Sequence, residues 1–467
     1  MCNCRKQEFR ASNQRITRTL VRRRLHAVYI ALDCDLSRHA RTRHTILSAA
    51  TGARPIGVMV APLLGWLLFK ELGKTVPTDI DNWRCVQTLE YVMRVLNVYP
   101  ARLCWLLGGV WPETTYERFF HAVVLKGLIA LFGHQPKKSI KISKRIYGGV
   151  GVDVFEPKSV RRRSEGAIVY FHGGAFVLDL RYSSAYMLSC LAERLNCVLI
   201  SVDYRLAPEH PFPIPADDCE KATLGFLASC RIDFGVDPKK VVLLGDSAGG
   251  NLVATVGRRI SSKKDAEHAP LAHVLVYPVT QLADVWTPSY QAADAKYAGT
   301  WMLSRHGVVL GVLQYCLGKN VGRNDVDDAF MNRHVDPTAT AQFSHSLIPD
   351  RLKSLETYRG ECIPSSVNEK LAKRLQPILV NKDFCPMLAS DAELRRLPRT
   401  LVLTVGHDIL RDDGIFYHGR LADCGVESTL VDYPLGFHGL FSLHAPAAER
   451  MRDDVAAFVE RAWTSAV

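Results

Sequence analysis

Residues 241–252 read VVLLGDSAGGNL, and the rest of the chain is best approached from this stretch. Val241 to Leu244 is a short apolar run, β-branched at its start and stopped by Gly245, which reads as a buried strand. From Asn251 to Val256 the pattern becomes that of a helix in its first turns. Between them lies Gly245-Asp246-Ser247-Ala248-Gly249, a G-x-S-x-G. That pattern suits a sharp strand-to-helix turn that strains its serine and exposes Oγ at a sheet edge. Small residues on both sides let the two backbones crowd together, and the Ala248 N–H would face a reacting carbonyl. With only three positions fixed, the same pattern also describes a plain glycine turn, so the surrounding sequence has to decide.

Working outward, the body repeats one texture. AIVYF (167–171), CVLISVDY (197–204), VVLLG (241–245), HVLVYP (273–278), LVLTV (401–405) and STLVDYP (428–434) read as strands. Helical patterns such as YMLSCLAERL and CEKATLGFLAS lie between most of them. Strands alternating with helices predict an α/β fold, a mostly parallel central sheet covered by helices on both faces. RIYGGVGVDVFEP reads as an early hairpin, and the polar, mixed stretch 279–399 as a helical insertion between two strands. The expected organisation is a basic leader (1–54), a candidate anchor helix (55–72), cap or lid helices (73–140) and a catalytic domain (141–467).

The ends of these strands carry a constellation. After AIVYF comes His172-Gly173-Gly174-Ala175-Phe176, at the end of what would be the third strand of the sheet. Glycines there let backbone N–H groups approach a developing oxyanion, which predicts a hole built from the His172–Gly174 segment and Ala248. After LVLTV comes Gly406-His407-Asp408, and after STLVDYP comes Gly436-Phe437-His438-Gly439. Both are turns at the strand edge where α/β sheets build their sites. Ser247, Asp408 and His438 follow in the chain order of a nucleophile-elbow hydrolase. Asp412 and Asp413 lie a helical turn beyond Asp408 and read as residues that cap a helix or fix the loop. The predicted chemistry is nucleophilic attack by Ser247, with His438 as general base and Asp408 orienting it. It needs no metal or cofactor.

Composition narrows the alternatives. The chain has 467 residues, 48% of them hydrophobic, and a formal charge of +12. Twelve Lys/Arg against three Asp/Glu fall in residues 1–54, so the body is near neutral and nucleic acid is not an expected partner. The 13 cysteines are scattered and give no disulfide framework, and several sit in apolar contexts where cysteine acts as a small hydrophobe. PIGVMVAPLLGWLLF (55–69) is the most apolar run. It falls short of the about 20 residues that span a bilayer. Beside an Arg-rich leader it reads as a signal anchor, with a packing helix or a transit peptide as the alternatives. LCWLLGGVW and FFHAVVLKGLIALF, within 103–132, read either as helices packed on the body or as a lid or membrane-facing surface.

HGGAF, DYRLAPEHPFPIPADD (203–218), GDSAGG, HDILRDDG and GFHG together resemble the hormone-sensitive-lipase branch of the α/β-hydrolases. The anchor-like run, LRDDG and SHSLIPDRLKS (344–354) are most similar to its arylacetamide deacetylase group, which includes the neutral cholesterol ester hydrolase type. The resemblance extends over residues 75–465. It implies a serine hydrolase, anchored in the endoplasmic-reticulum membrane with a luminal catalytic domain, that cleaves lipophilic esters or acetyl amides. In this chain Ala175 stands where the family usually has a third glycine; it can still offer its N–H, and its methyl is expected to narrow the pocket. A disulfide of some luminal members is matched by Val177 and Val405, which weakens the luminal expectation. Related plant hormone receptors keep the pocket but lack the catalytic histidine, whereas His438 is present here.

Overall fold

The computed structural model describes residues 76–465, except 82, 133, 159–163, 264–268, 298–299, 301, 336–344, 346–347, 354–356 and 363. The basic leader and the candidate anchor 55–72 lie outside the described residues. Among the described residues no helix is long and apolar enough to cross a membrane.

Among the described residues eight strands build one sheet: β1 (Ile140–Tyr147), β2 (Val150–Pro157), β3 (Ala167–Phe171), β4 (Val198–Val202), β5 (Val241–Asp246), β6 (Ala272–Val276), β7 (Arg399–His407) and β8 (Ser428–Phe437). Their spatial order is β1-β2-β4-β3-β5-β6-β7-β8. β1 and β2 form the expected hairpin, turned by Gly148 and Gly149 at positive φ, and β2 joins β4 antiparallel. Every pairing from β4 through β8 is parallel. Each residue of β3, β4, β5 and β6 is buried. That is why these strands are continuous apolar runs in the sequence rather than alternating ones.

Among the described residues four α-helices precede the sheet: α1 (Trp83–Met93), α2 (Tyr99–Gly108), α3 (Val110–Phe119) and α4 (Lys126–Phe132). Crossover helices cover its faces: α5 (Arg181–Leu195), α6 (Ile214–Phe234) and α7 (Ala248–Ser261) follow β3, β4 and β5. Between β6 and β7 the chain leaves the sheet for helices that include α8 (Pro288–Tyr297), α9 (Arg305–Leu317), α10 (Arg323–Phe330) and α11 (Glu369–Leu379). α12 (Arg411–Asp423) and α13 (Pro446–Thr464) follow β7 and β8.

Strand order positions the site. The chain runs from β3 to β4 on one side and then returns to place β5 on the other side of β3. The carboxyl ends of β3 and β5 therefore flank a topological switch point, where neighbouring loops diverge and leave a crevice. The HGGAF loop leaves β3 there, and the GDSAGG turn leaves β5.

Candidate active site

Ser247 occupies the turn between β5 and α7 with φ 56° and ψ −120°. A non-glycine residue held there costs of order 1–3 kcal/mol, so the surroundings must enforce it. Its N–H donates to Val276 O on β6 (2.9 Å), and its carbonyl accepts from Gly250 N (3.0 Å). The flanking glycines are a matter of space. A Cβ on Gly249 would come within 2.0 Å of Phe171 O, and one on Gly245 within 2.2 Å of Gly249 O. The crowding that the sequence implied is thus an approach of α7 onto the end of β3.

The ends of β7 and β8 bring two further groups to this serine. Ser247 Oγ lies 3.0 Å from His438 Nε2, and His438 Nδ1 lies 2.8 Å from Asp408 Oδ2. With Nδ1 protonated, the ring donates to Asp408 and accepts from the Ser247 hydroxyl. The Asp408 side chain is fully buried, and its other oxygen accepts from Leu410 N at 2.9 Å. The Tyr277 ring packs against the imidazole with centroids 4.5 Å apart. Tyr277 has no conspicuous signal in the sequence beyond its place at the end of β6.

The loop after β3 differs from expectation in two places. The Gly173 N–H is not free, because it donates to Asp246 Oδ1 (3.0 Å), which also accepts from Tyr170 OH (2.5 Å). Asp246 is buried, and burial pushes its carboxyl above the usual range against these hydrogen bonds. The His172 side chain is engaged within the loop. Its ring stacks on Tyr204 (4.3 Å), Tyr204 OH donates to His172 O (2.7 Å), and His172 Nδ1 lies 2.7 Å from Gly173 O. Burial pushes the imidazole down to about 4, so it stays neutral and braces the loop. Among the described residues, the N–H groups of Gly174, Ala175 and Ala248 have no acceptor. The sequence pointed to Gly174 and Ala248 and left the Ala175 N–H able to contribute. The replacement of Gly173 by Ala175 follows from the Asp246 contact, which joins residues 73 positions apart.

The loop is held from outside as well. Arg118 on α3 donates through Nε to Val177 O (3.2 Å), also donates to Ala207 O, and pairs with Glu209 (2.7 Å). Asp412 and Asp413 fix a neighbouring loop. Asp412 accepts from Ser289 N (2.7 Å), and Asp413 accepts from Thr280 N (2.9 Å), Gln281 N (3.3 Å) and Gln281 Nε2 (3.0 Å). Burial pushes the Asp413 carboxyl up to about 7 despite these donors, and Asp412 adds to the rise. The folded chain therefore holds this proton more tightly than the unfolded chain. The resulting stabilisation is complete below the ordinary value of 3.8 and is lost as pH rises to about 7. Relative to an Asp413→Asn variant, the wild-type melting temperature should fall between pH 4 and 7. Parallel profiles would remove the assignment. Among the described residues no group of three or more His, Cys, Asp or Glu side chains could hold a metal ion.

A family profile described as the alpha/beta hydrolase fold matches residues 168–348 and 365–442, more than half of the chain. The chain belongs to the α/β-hydrolase family. The matched segments of this α/β-hydrolase contain Gly174, Ala175, Ser247, Ala248, Asp408 and His438. Its curated relatives lie in the hormone-sensitive-lipase-like branch. Mouse neutral cholesterol ester hydrolase 1 is 35% identical over 336 residues, which is 68% of this chain and 79% of its own length. Bovine arylacetamide deacetylase is 31% identical over 384 residues, 81% of this chain and 92% of its own length. A solved fungal esterase from Rhizomucor miehei has a TM-score of 0.56 at 23% identity, covering 78% of this chain and 96% of that one. That likeness is one of fold.

Proposed function

We propose that this α/β-hydrolase is a serine carboxylesterase of the lipase type that cleaves lipophilic carboxylic esters through an acyl-enzyme. The observation that carries the proposal is the continuous hydrogen-bonded line from Ser247 Oγ through the His438 ring to the buried Asp408. Ser247 Oγ attacks the ester carbonyl as His438 Nε2 takes its proton, and the Asp408 carboxylate stabilises the imidazolium. The N–H groups of Gly174, Ala175 and Ala248 receive the negative oxygen of the tetrahedral intermediate. The intermediate collapses, the bond to the alcohol oxygen breaks, and His438 gives that oxygen the proton. Water then repeats the sequence on the acyl-enzyme and frees the acid. Cleavage of aryl acetamides is the second reading, favoured by the likeness to arylacetamide deacetylases. A ligand-binding role without catalysis is the remote third.

Membrane association belongs to the same proposal. Leu103, Leu106, Leu107, Phe119, Val123 and Leu131 on and between α2 and α4 are each more than half exposed, which suits contact with lipid. With the apolar run 55–69 read as a signal anchor, the placement that the family resemblance implies is the endoplasmic-reticulum membrane with the catalytic domain in the lumen, a cytosolic or peripheral placement being the alternative. The test is labelling of the full chain by a fluorophosphonate, followed by turnover of p-nitrophenyl esters from acetate to palmitate and of an aryl acetamide. Labelling with turnover of the longer esters is the expected result. A folded chain that neither labels nor turns over would overturn the enzyme reading. Vesicle flotation and protease protection in microsomes test the membrane placement, and a chain that neither floats nor is protected would remove it.

A further inference from the structure

Ala175 and Phe176 are consecutive non-glycine residues in the left-handed region, at φ 52° and φ 64°. L side chains resist that backbone, and two in succession need an outside hold. The hold comes from α9, in the insertion between β6 and β7. Gly311 and Tyr315 are four residues apart and so share one face of that helix. Each meets one of the two strained residues. The Tyr315 ring stacks on Phe176 with centroids 3.8 Å apart and planes 6° apart, both side chains being completely buried. The Gly311 Cα lies against Ala175 so closely that a Cβ there would stand 2.6 Å from Ala175 Cβ and 3.2 Å from Ala175 O. α9 is itself tied down. Gln314 Nε2 donates to Thr114 Oγ1 (2.7 Å) on α3, and Tyr315 O accepts from Phe212 N (2.7 Å). The Arg305 guanidinium at its start lies 4.1 Å from the Trp286 ring centroid and 3.6 Å from that of Phe330.

We propose that Gly311 is a positioning residue: its bare face sets the height of the Ala175 N–H above Ser247, so the helical insertion places an oxyanion donor in a loop it does not belong to. The proposal rests on the reading of Ala175 as a donor given above. A methyl added at Gly311 has no flexible neighbour to displace, because the nearest atoms are a Cβ and a backbone oxygen. Helix and loop must separate, and the donor moves with the loop.

The experiment compares the full-length wild type with Gly311→Ala, Ala175→Gly and the double variant. Three quantities are read: kcat and KM on a soluble butyrate ester, affinity for a trifluoromethyl ketone that forms a tetrahedral adduct on the serine, and fluorophosphonate labelling. Gly311→Ala should lower kcat and ketone affinity together, by about ten- to a hundredfold, with KM within about threefold. This is part of the ~10²–10³ lost when one donor is removed. In the Ala175→Gly background the same change should cost at most about threefold, because the 2.6 Å contact is gone. Wild-type kcat in Gly311→Ala, a loss confined to KM, or an equal loss in both backgrounds would overturn the proposal. If Gly311→Ala does not fold, Tyr315→Leu decides, since it removes the ring beneath Phe176 without adding volume. It should lower kcat and ketone affinity in parallel, and an unchanged kcat would then overturn the proposal. A wild type that does not label would instead refute the Ser247 assignment itself.

Discussion

Ser247→Ala should reduce turnover of a soluble carboxylic ester by about 10⁶-fold while the chain stays folded. The size of the loss follows from what the hydroxyl does. It is the atom that bonds to the acyl carbon, and no other hydroxyl lies in its place 3.0 Å from His438 Nε2 among the described residues. Residual acceleration of about 10³–10⁴ over water would remain from the oxyanion N–H groups and binding. Stability should change little. Alanine has the same backbone demand as serine at φ 56°, and the hydrogen bond lost is one to a histidine that keeps its bond to Asp408. The measurement is steady-state hydrolysis beside a thermal melt. Undiminished hydrolysis by the folded variant would end the assignment. Equal loss of hydrolysis and of the melting transition would mean that Ser247 holds the fold rather than the chemistry.

Asp408→Asn should lower kcat by about 10⁴, again in a folded chain. Asp408 uses its two oxygens differently: Oδ2 accepts from His438 Nδ1 and Oδ1 accepts from Leu410 N. An asparagine can keep its carbonyl oxygen on Leu410 N only by turning its NH₂ toward the histidine. A donor at that position stabilises the imidazole tautomer with Nδ1 bare and Nε2 protonated. That tautomer cannot take a proton from Ser247. The nearby carboxylates offer no substitute, since Asp412 and Asp413 are already engaged by Ser289, Thr280 and Gln281. The control is Asp412→Asn, which should change kcat by less than tenfold. If Asp412→Asn were the damaging change and Asp408→Asn the mild one, the acid would be misassigned. Comparing kcat across the two variants, with melting curves for each, separates these outcomes.

Much of this architecture could be read from the chain because parallel strands buried on both faces leave an unmistakable mark. AIVYF is β3 residue for residue, and VVLLG lies within β5. The turn chemistry is equally local. Gly245 and Gly249 are demanded by contacts within a few residues of Ser247 and by the end of the adjacent strand. The order Ser247, Asp408, His438 and their places at strand ends needed only the alternation of strands and helices. The roles of Gly173 and Ala175 were less legible. The HGG pattern suggests that both glycines offer their N–H groups, but one is claimed by Asp246, which approaches from the neighbouring strand. The Ala175 methyl lies against Gly311, a contact the sequence pattern does not announce.

Sequence alone therefore determined which strands are buried, where the chain turns sharply and in what order the reactive side chains arrive. These depend on hydrophobic periodicity and on steric limits acting over a few residues. Only the tertiary structure decided which backbone N–H groups are free and what holds them. That depends on helix α9 meeting a loop more than a hundred residues earlier in the chain, with Gly311 and Tyr315 set against Ala175 and Phe176. Such a contact arises from how helices pack over a sheet, and a pattern of residue types along the chain carries no record of it.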